Sequence, residues 1–600
     1  MKKLFLSIIL LLSIVALFAD GVHPEGTGDE NDPYRIETLD NLLWLSTTED
    51  VWNDNAYYIQ TSNINAIETQ DWNNGEGFSP IGTNQYNLFS GYYDGQNYSI
   101  NHLYIDRREQ NNQGLFGYTS STEIHNLNLI NLNITGYEFT GGFIGRAINS
   151  SKTQNCSGTG FLSGWCDLGG IVGWADNNFT AINCRNESTI TCFYDQNVCG
   201  NAGGIIGSSH NYSVVEDCVN FGNISTLWHA GGIIGIIDDG ALVTNCDSEC
   251  NVNATAQYAG GIVGLAFVDL SLSNSSFIGS LGSGDKIGGI VGACSGSTIE
   301  NSFCLVQVTG LDMLGGVVGQ LFGSTLSCCY SIGDIDGADE ENYCYGEVGG
   351  LAGEALAGTI NNCFSGCNVI GIRSVGGLVG RSLTNSLINN CFSYGAIQGN
   401  SFVGGLIGEE ASNCVTYSSF WDINTSGQTE SAGEETGKTT IEMKNAFTYT
   451  NLESEGLNIA WDFINNPYDD IENNDYWAID LSINHGYPHL RNLDVSFLAA
   501  TTELTPTKQT ISITNYPNPF NPSTTIEFSI QNNFRIELSI YNIKGQKIKT
   551  LAQNEFTEGS HTIIWNGNDA FGKPASSGVY FYKLVADGET IAVQKMMLIK

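Results

Sequence analysis

Gly376-Gly377-Leu378-Val379-Gly380 is one of ten copies of a phrase, Gly-Gly, two apolar residues, Gly, whose first glycines are Gly141, Gly169, Gly203, Gly231, Gly260, Gly288, Gly315, Gly349, Gly376 and Gly404. Successive copies stand 27 to 34 residues apart, and Gln113-Gly114-Leu115-Phe116-Gly117 is a weaker copy 28 residues before the first. A fixed period of this size is the mark of a solenoid, in which each unit buries its apolar face against the next. Between the glycines stand short strings such as Ile-Val, Ile-Ile and Val-Val, broken by Gly, Asn and Ser. The i, i+3, i+4 periodicity of stacked helix pairs is missing. The fold class this predicts is all-β: a parallel β-helix of about eleven coils, each strand pairing with its equivalent in the next coil.

Stacked strands require like residues above like, and the chain meets that requirement. Cys156, Cys184, Cys218, Cys246, Ser275, Ser302, Cys329, Cys363, Cys391 and Ser419 each follow the first glycine of their unit by 14 or 15 residues. We read this column as interior, its thiols acting as small apolar side chains in the reduced state, with partial bridging as the alternative. A second column, Gly160, Gly222, Gly279, Gly333, Gly366 and Gly395, marks corners. Corners need glycine for backbone angles or for want of space. At ~4.8 Å per strand the coils make a rod roughly 50 Å long. The two 34-residue units carry extra loop residues, with Cys192, Tyr194, Asp195 and Cys199 in one, and Asp334, Asp336, Asp339, Glu340 and Glu341 in the other. Cys192 and Cys199 share one loop and are the best disulfide candidates.

Residues 113 to 420 resemble GLUG-motif repeats, on the phrase at Gly376 and the echo Ile388-Asn389-Asn390-Cys391-Phe392-Ser393-Tyr394-Gly395. The resemblance implies a bacterial surface or secreted protein, a class that includes large proteases and adhesins. It names a scaffold and no reaction.

Met1 to Ala19 places Lys2 and Lys3 before an apolar run, Leu4 to Phe18, the layout of a signal peptide rather than a spanning helix. No second stretch approaches ~18 apolar residues, so no transmembrane span is expected after signal cleavage. Residues 20–112 read as an N-terminal cap and first irregular coils, with Thr38 capping a helix that carries Leu39, Leu42, Leu43 and Leu45. Residues 421–497, with two tryptophan clusters, read as a C-terminal cap, and 498–510 as a linker. Residues 511–600 alternate in a pattern that fits a small Ig-like antiparallel β-sandwich. This tail resembles the type A C-terminal sorting domain of the type IX secretion system, on Tyr516-Pro517-Asn518-Pro519-Phe520-Asn521-Pro522, Ile540 to Gly545, Trp565-Asn566-Gly567, Ser577-Gly578-Val579-Tyr580 and the basic end at Lys595 to Lys600. The resemblance implies export across the outer membrane, recognition of residues 511–600 by the secretion machinery, and attachment to the cell surface.

The formal net charge is -40, from 63 acidic against 23 basic residues, which excludes nucleic acid as a partner. Acidity of this kind keeps a strand-rich surface soluble. Asp334-Ile335-Asp336-Gly337-Ala338-Asp339 also offers alternating oxygens for calcium without the full loop signature, and no other cofactor is indicated. A search for catalytic patterns yields no catalytic or cofactor-binding residues. Gly292-Ala293-Cys294-Ser295-Gly296 mimics a nucleophile elbow but lacks the strand-to-helix context. His485 and His489 have zinc spacing only on a helix, which Gly486 and Pro488 forbid. Asp238-Asp239 and Glu409-Glu410 would point to opposite faces if extended. The sequence therefore favours an exported cell-surface rod that contacts a glycan or matrix polymer. A secreted polysaccharide lyase or glycosidase, and a non-binding spacer, stand as alternatives.

Overall fold

The computed structural model describes residues 21–493 apart from 53–55, 194–199, 283, 338–345, 434–435, 456, 458, 465–474 and 492, and residues 513–599 apart from 517, 519, 531–533, 543–545, 558 and 587–588. The signal segment and the linker lie outside the described residues. Two compact units divide at Thr501 and Thr502, and each is described by itself.

The first unit is a parallel β-solenoid with four strand positions per coil. Strands ending on the Gly-Gly phrase, from Glu138–Gly141 to Ser401–Gly404, form a ten-stranded sheet, here face 1. Strands after the phrase, from Phe116–Ser120 to Ile407–Glu410, form an eleven-stranded sheet, face 2. Face 3 has fourteen strands, from Tyr34–Ile36 to Val415–Tyr417. Face 4 continues after the Cys/Ser column, as single strands such as Asp247–Ala254 or as two short ones such as Phe364–Ser365 and Asn368–Ile370. The registers stack equivalents, for example Val172 on Ile206 on Ile234 on Val263, all fully buried. Face 3 begins at Tyr34, so coiling starts well before the regular repeats. Helix Leu39–Thr47, capped by Thr38 in a capping box with Asn41, buries Leu42, Trp44 and Leu45 in the same core.

Space, rather than dihedral angle, explains the Gly-Gly phrase. None of its first glycines has a positive φ. A Cβ on Gly141 would stand 2.0 Å from the Ile144 carbonyl oxygen, and one on Gly142 would stand 2.3 Å from that of Gly170 in the next coil. The chain folds so sharply here that faces 1 and 2 meet at a re-entrant angle.

The Cys/Ser column is buried as expected, and its seven cysteines are free thiols. They are more than apolar filler. Cys363 Sγ donates to the Asn361 carbonyl at 3.1 Å and accepts from the Cys329 amide at 3.4 Å. Ser302 Oγ donates to the Glu300 carbonyl at 2.8 Å and accepts from the Ser275 amide at 3.2 Å. Thiol and hydroxyl interchange because both close the same corner and tie it to the preceding coil. The residue just before is usually Asn in the left-handed region, as at Asn155, Asn183 and Asn362, with φ between 50° and 54°. Its amides form a second ladder, Asn183 to Asn155 at 2.7 Å and Asn155 to Asn126 at 2.9 Å.

Residues 428–432 cover the last coil, with the Gly405 amide donating to the Glu430 carbonyl at 2.9 Å and the Ala432 amide to that of Ile407 at 3.0 Å. The chain then returns along face 4. Phe303, Tyr330, Phe364 and Phe392 stack at centroid spacings of 5.0, 4.9 and 5.0 Å. Met443, Tyr449, Trp461, Trp477 and Tyr487 bury that ladder.

The second unit is a seven-stranded antiparallel sandwich of a three-stranded and a four-stranded sheet, among the described residues. Its core includes Phe520, Phe528, Leu538, Trp565, Tyr582 and Leu584.

Candidate functional site

Side chains that leave the core from faces 1 and 2 meet one another across the corner, as Asp167 does Ser208 and Ser374 does Glu409; they largely fill it, with Ser208, Ile236, Leu265, Ala293 and Glu354 buried, and the strip they form down the solenoid is here called the groove. Face 2 contributes Tyr118, Arg146, Trp174, Ser208, Ile236, Leu265, Ala293, Gln320, Glu354, Arg381 and Glu409, each paired with the next. Face 1 contributes Phe139, Asp167, Asn201, His229, Tyr258 and Lys286 opposite the first part of this row, and Glu347 and Ser374 opposite its end.

The groove has three chemical zones. In the first, the Arg146 guanidinium carbon lies 5.4 Å from the Tyr118 ring, 5.2 Å from Phe139 and 5.3 Å from Trp174. Trp174 stacks on His210 at 3.7 Å, and His210 Nδ1 is 2.6 Å from Asp238 Oδ2.

In the second zone Asp167 is buried and accepts from Ser208 Oγ, in a short hydrogen bond, and from Asn201 Nδ2 at 2.8 Å. Burial pushes its carboxyl up to about 6 against the pull of those two donors. Asn201 Oδ1 meets His229 Nδ1 at 2.5 Å, and burial pushes His229 down to about 4, so the neutral ring donates through Nδ1. Ile236, Leu265 and Ala293 form a small apolar cluster against Tyr258.

In the third zone Arg381 donates to Glu347 Oε1 at 3.1 Å, Gln320 donates to Glu354 Oε1 at 2.8 Å, and Ser374 Oγ donates to Glu409 Oε2 at 2.8 Å. Glu347 is buried, and its Oε2 and Asp312 Oδ1 have no donor. Burial first, then Asp312, pushes Glu347 up to about 8.

The residues singled out in sequence fall elsewhere or take other roles. Asp334 and Asp336 sit on strand Tyr330–Asp336 and face solvent, Asp334 accepting from Asn368 Nδ2 at 2.9 Å. Asp339, Glu340 and Glu341 lie outside the described residues, as do Tyr194, Asp195 and Cys199. The Cys192–Cys199 pairing is corrected: Cys192 is a buried free thiol, and among the described residues near it Cys166 is disulfide-bonded. Cys166 precedes Asp167 on face 1 and is out of line with the repeat column, so the period gave no reason to single it out. Cys294 is buried on strand Val291–Ser295, its thiol pushed up to about 12 by burial, with a glycine corner and no helix after it. His485 lies in a single 3-10 turn and His489 on strand Pro488–Leu490. Asp238 turns to His210, Asp239 to solvent, Glu409 to Ser374, and Glu410 to Thr416 Oγ1 at 2.7 Å. Among the described residues no group of three or more His, Cys, Asp or Glu could hold a metal ion, and no helix is long and apolar enough to cross a membrane. On face 4 a shallow depression of about 440 Å³ is lined by uncharged side chains, including Asn251, Asn253, Ser280, Gln307 and Thr309.

Parts of the chain resemble known proteins. The chain is 30% identical over 149 residues to halomucin of Haloquadratum walsbyi, covering 25% of this chain and 2% of halomucin. It is 28% identical over 218 residues to the immunoglobulin A1 protease of Streptococcus sanguinis, covering 35% of this chain and 11% of that protein. The chain thus spans a small part of the curated relatives it matches. A solved structure of a putative immunoglobulin A1 protease from Bacteroides ovatus aligns over 78% of this chain and 95% of its own, at 13% identity and a TM-score of 0.27. Residues 514–600 match the secretion system C-terminal sorting domain. The tail is therefore a type IX sorting domain, and it marks the chain for secretion and attachment at the cell surface.

Proposed function

We propose that the solenoid is the binding part of this surface protein, and that its lateral groove holds an extended glycan or matrix polymer through many weak contacts. One observation carries the reading. Interior positions repeat from coil to coil, whereas the outward position five residues after the first glycine runs Arg146, Trp174, Ser208, Ile236, Leu265, Ala293, Gln320, Glu354, Arg381 and Glu409. Stacking demands the interior repetition, and nothing in the fold demands this variety. A varied lining on a repeated scaffold is what a recognition surface needs, with affinity summed along the ligand.

The paired carboxyls Asp312 and Glu347 do not favour the enzymatic alternative. Glycosidases hold their two carboxyl groups about 5 to 10 Å apart, around the scissile bond or a water. Here Asp312 lies against Glu347 and, after burial, is what pushes its carboxyl up to about 8. The test incubates the secreted chain with immobilised acidic and neutral polysaccharides and assays the supernatant. Retention of the protein with no new reducing or unsaturated ends is expected. Release of such ends would establish an enzyme, and failure to bind any polymer would leave a spacer.

A further inference from the structure

We propose that Arg146 and Trp174 form the anchoring subsite of the groove and take an acidic sugar residue of the polymer, carboxylated or sulfated. This rests on the groove reading above and adds its ligand class.

Arg146 is a cation without a carboxylate partner in an acidic chain, as Lys286 and Arg373 are, and differs from them in its buried Nε. Among the described residues it makes no ion pair and no hydrogen bond, and its Nε is buried without an acceptor. By contrast, Arg381 is met by Glu347 and Glu409, and Arg185 by Glu187. Three rings hold the Arg146 guanidinium in place, so little side-chain freedom is left to lose when an anion arrives. Trp174 Nε1, in the next coil, is a second buried donor without an acceptor. Two unfilled donors, one charged, describe a place for an anion's oxygens.

The neighbours say what kind of anion. Asn112 lies against Gly145, beside Arg146, and its Oδ1 is buried without a donor. On the other side of Trp174, His210 places Nδ1 2.6 Å from Asp238 Oδ2, and its Nε2 is buried without a partner. Asn112 Oδ1 and His210 Nε2 thus add two unpartnered polar atoms to the two unfilled donors. A bare inorganic anion offers no proton to the Asn112 amide oxygen. A sugar acid offers a hydroxyl to it and its charged group to Arg146. Simple attraction to the whole chain cannot supply such binding, since the net charge of -40 repels polyanions.

Titration calorimetry on the full secreted chain tests this with three probes: polygalacturonate for carboxylate, dextran sulfate for sulfate ester, and neutral dextran. Binding of either anionic probe more tightly than dextran is expected, and which one binds identifies the source of the charge. Arg146→Met should lower that affinity at least about tenfold, the loss of a charge-assisted contact. Trp174→Phe, which keeps the ring and removes the N–H, should lower it severalfold. Lys152→Met on face 3 should change nothing, and equal melting temperatures would show that all three variants fold. An anionic probe bound equally well by wild type and Arg146→Met would overturn the subsite while leaving the groove. Tighter binding of dextran than of either anion would do the same. Failure of all three probes to bind would overturn both.

Discussion

The hydrogen-bonded role of the cysteine column makes a sharp prediction at Cys363. Burial pushes its thiol and that of Cys329 well up, so both carry the S–H at neutral pH. Cys363 Sγ is the acceptor for the Cys329 amide, and no other acceptor is within reach of that amide among the described residues. The Asn361 carbonyl, by contrast, also accepts from the Cys328 amide and keeps a partner whatever stands at 363. Cys363→Val preserves volume and apolarity but leaves the Cys329 N–H buried and unpaired, at a cost of about 1–3 kcal/mol. Cys363→Ser loses a little packing and keeps the hydrogen bonds, as Ser275, Ser302 and Ser419 do at equivalent positions. Because coils of a solenoid open locally, the assay is amide exchange by mass spectrometry on the peptide carrying Cys329. Protection there should fall about 5- to 150-fold in Cys363→Val and change little in Cys363→Ser. If valine protects as well as cysteine and serine does worse, the column is an apolar one and the ladder argument fails.

Three further outcomes follow from the same structure. Asp167 titrates at about 6 when folded and near 3.8 when unfolded, so the folded state binds the extra proton between those values. Stability from this group is full below about pH 4 and is lost as pH rises through 6, a change of about 3 kcal/mol. The difference in melting temperature between wild type and Asp167→Asn should therefore depend on pH across this window, and a flat difference would contradict it. Phe364→Ala removes a fully buried ring from the face 4 ladder, at a cost of about 3–5 kcal/mol. Limited proteolysis should then cut first between 438 and 493, with the coils before 303 spared. Removal of residues 511–600 should abolish surface display in cell fractionation while leaving the β-sheet circular dichroism of the purified solenoid unit unchanged, because the two units are separately compact. Normal display of the truncated chain would refute the role of the tail.

What the sequence made legible follows from the physics of stacking. Parallel strands in register force equivalents above equivalents, so the Gly-Gly phrase and the Cys/Ser column could be read by aligning units. The serine substitutions within that column were already a sign of hydrogen bonding, since an apolar slot would have accepted Val or Ala more readily than Ser. The asparagines that precede the column take their meaning from φ values that place them at one corner. The groove was hidden for a geometric reason. Residues five after and two before the first glycine are adjacent only because the chain bends back there, and no local pattern states that angle. The return of Met443, Tyr449, Trp461, Trp477 and Tyr487 to face 4 was hidden too, although Phe303, Tyr330, Phe364, Phe392 and Phe420 formed an outward aromatic column that needed a cover.

The zoning of the groove gives binding a direction. Successive coils are ~4.8 Å apart, so a polymer lying along it meets the Arg146 zone, the Asp167 zone and the Glu347 zone within roughly 50 Å. A polyanion gains at Arg146 and meets Glu347, Glu354 and Glu409 at the far end. Repulsion there is reduced at neutral pH because Glu347, pushed up to about 8, keeps its proton. Above that value the full charge appears, and Arg381 between Glu347 and Glu409 offsets only part of it. Long polyanions should thus lose affinity as pH rises past 8, whereas a fragment short enough to occupy the Arg146 zone alone should not. Equal pH dependence for long and short fragments would mean that the far end of the groove takes no part in binding.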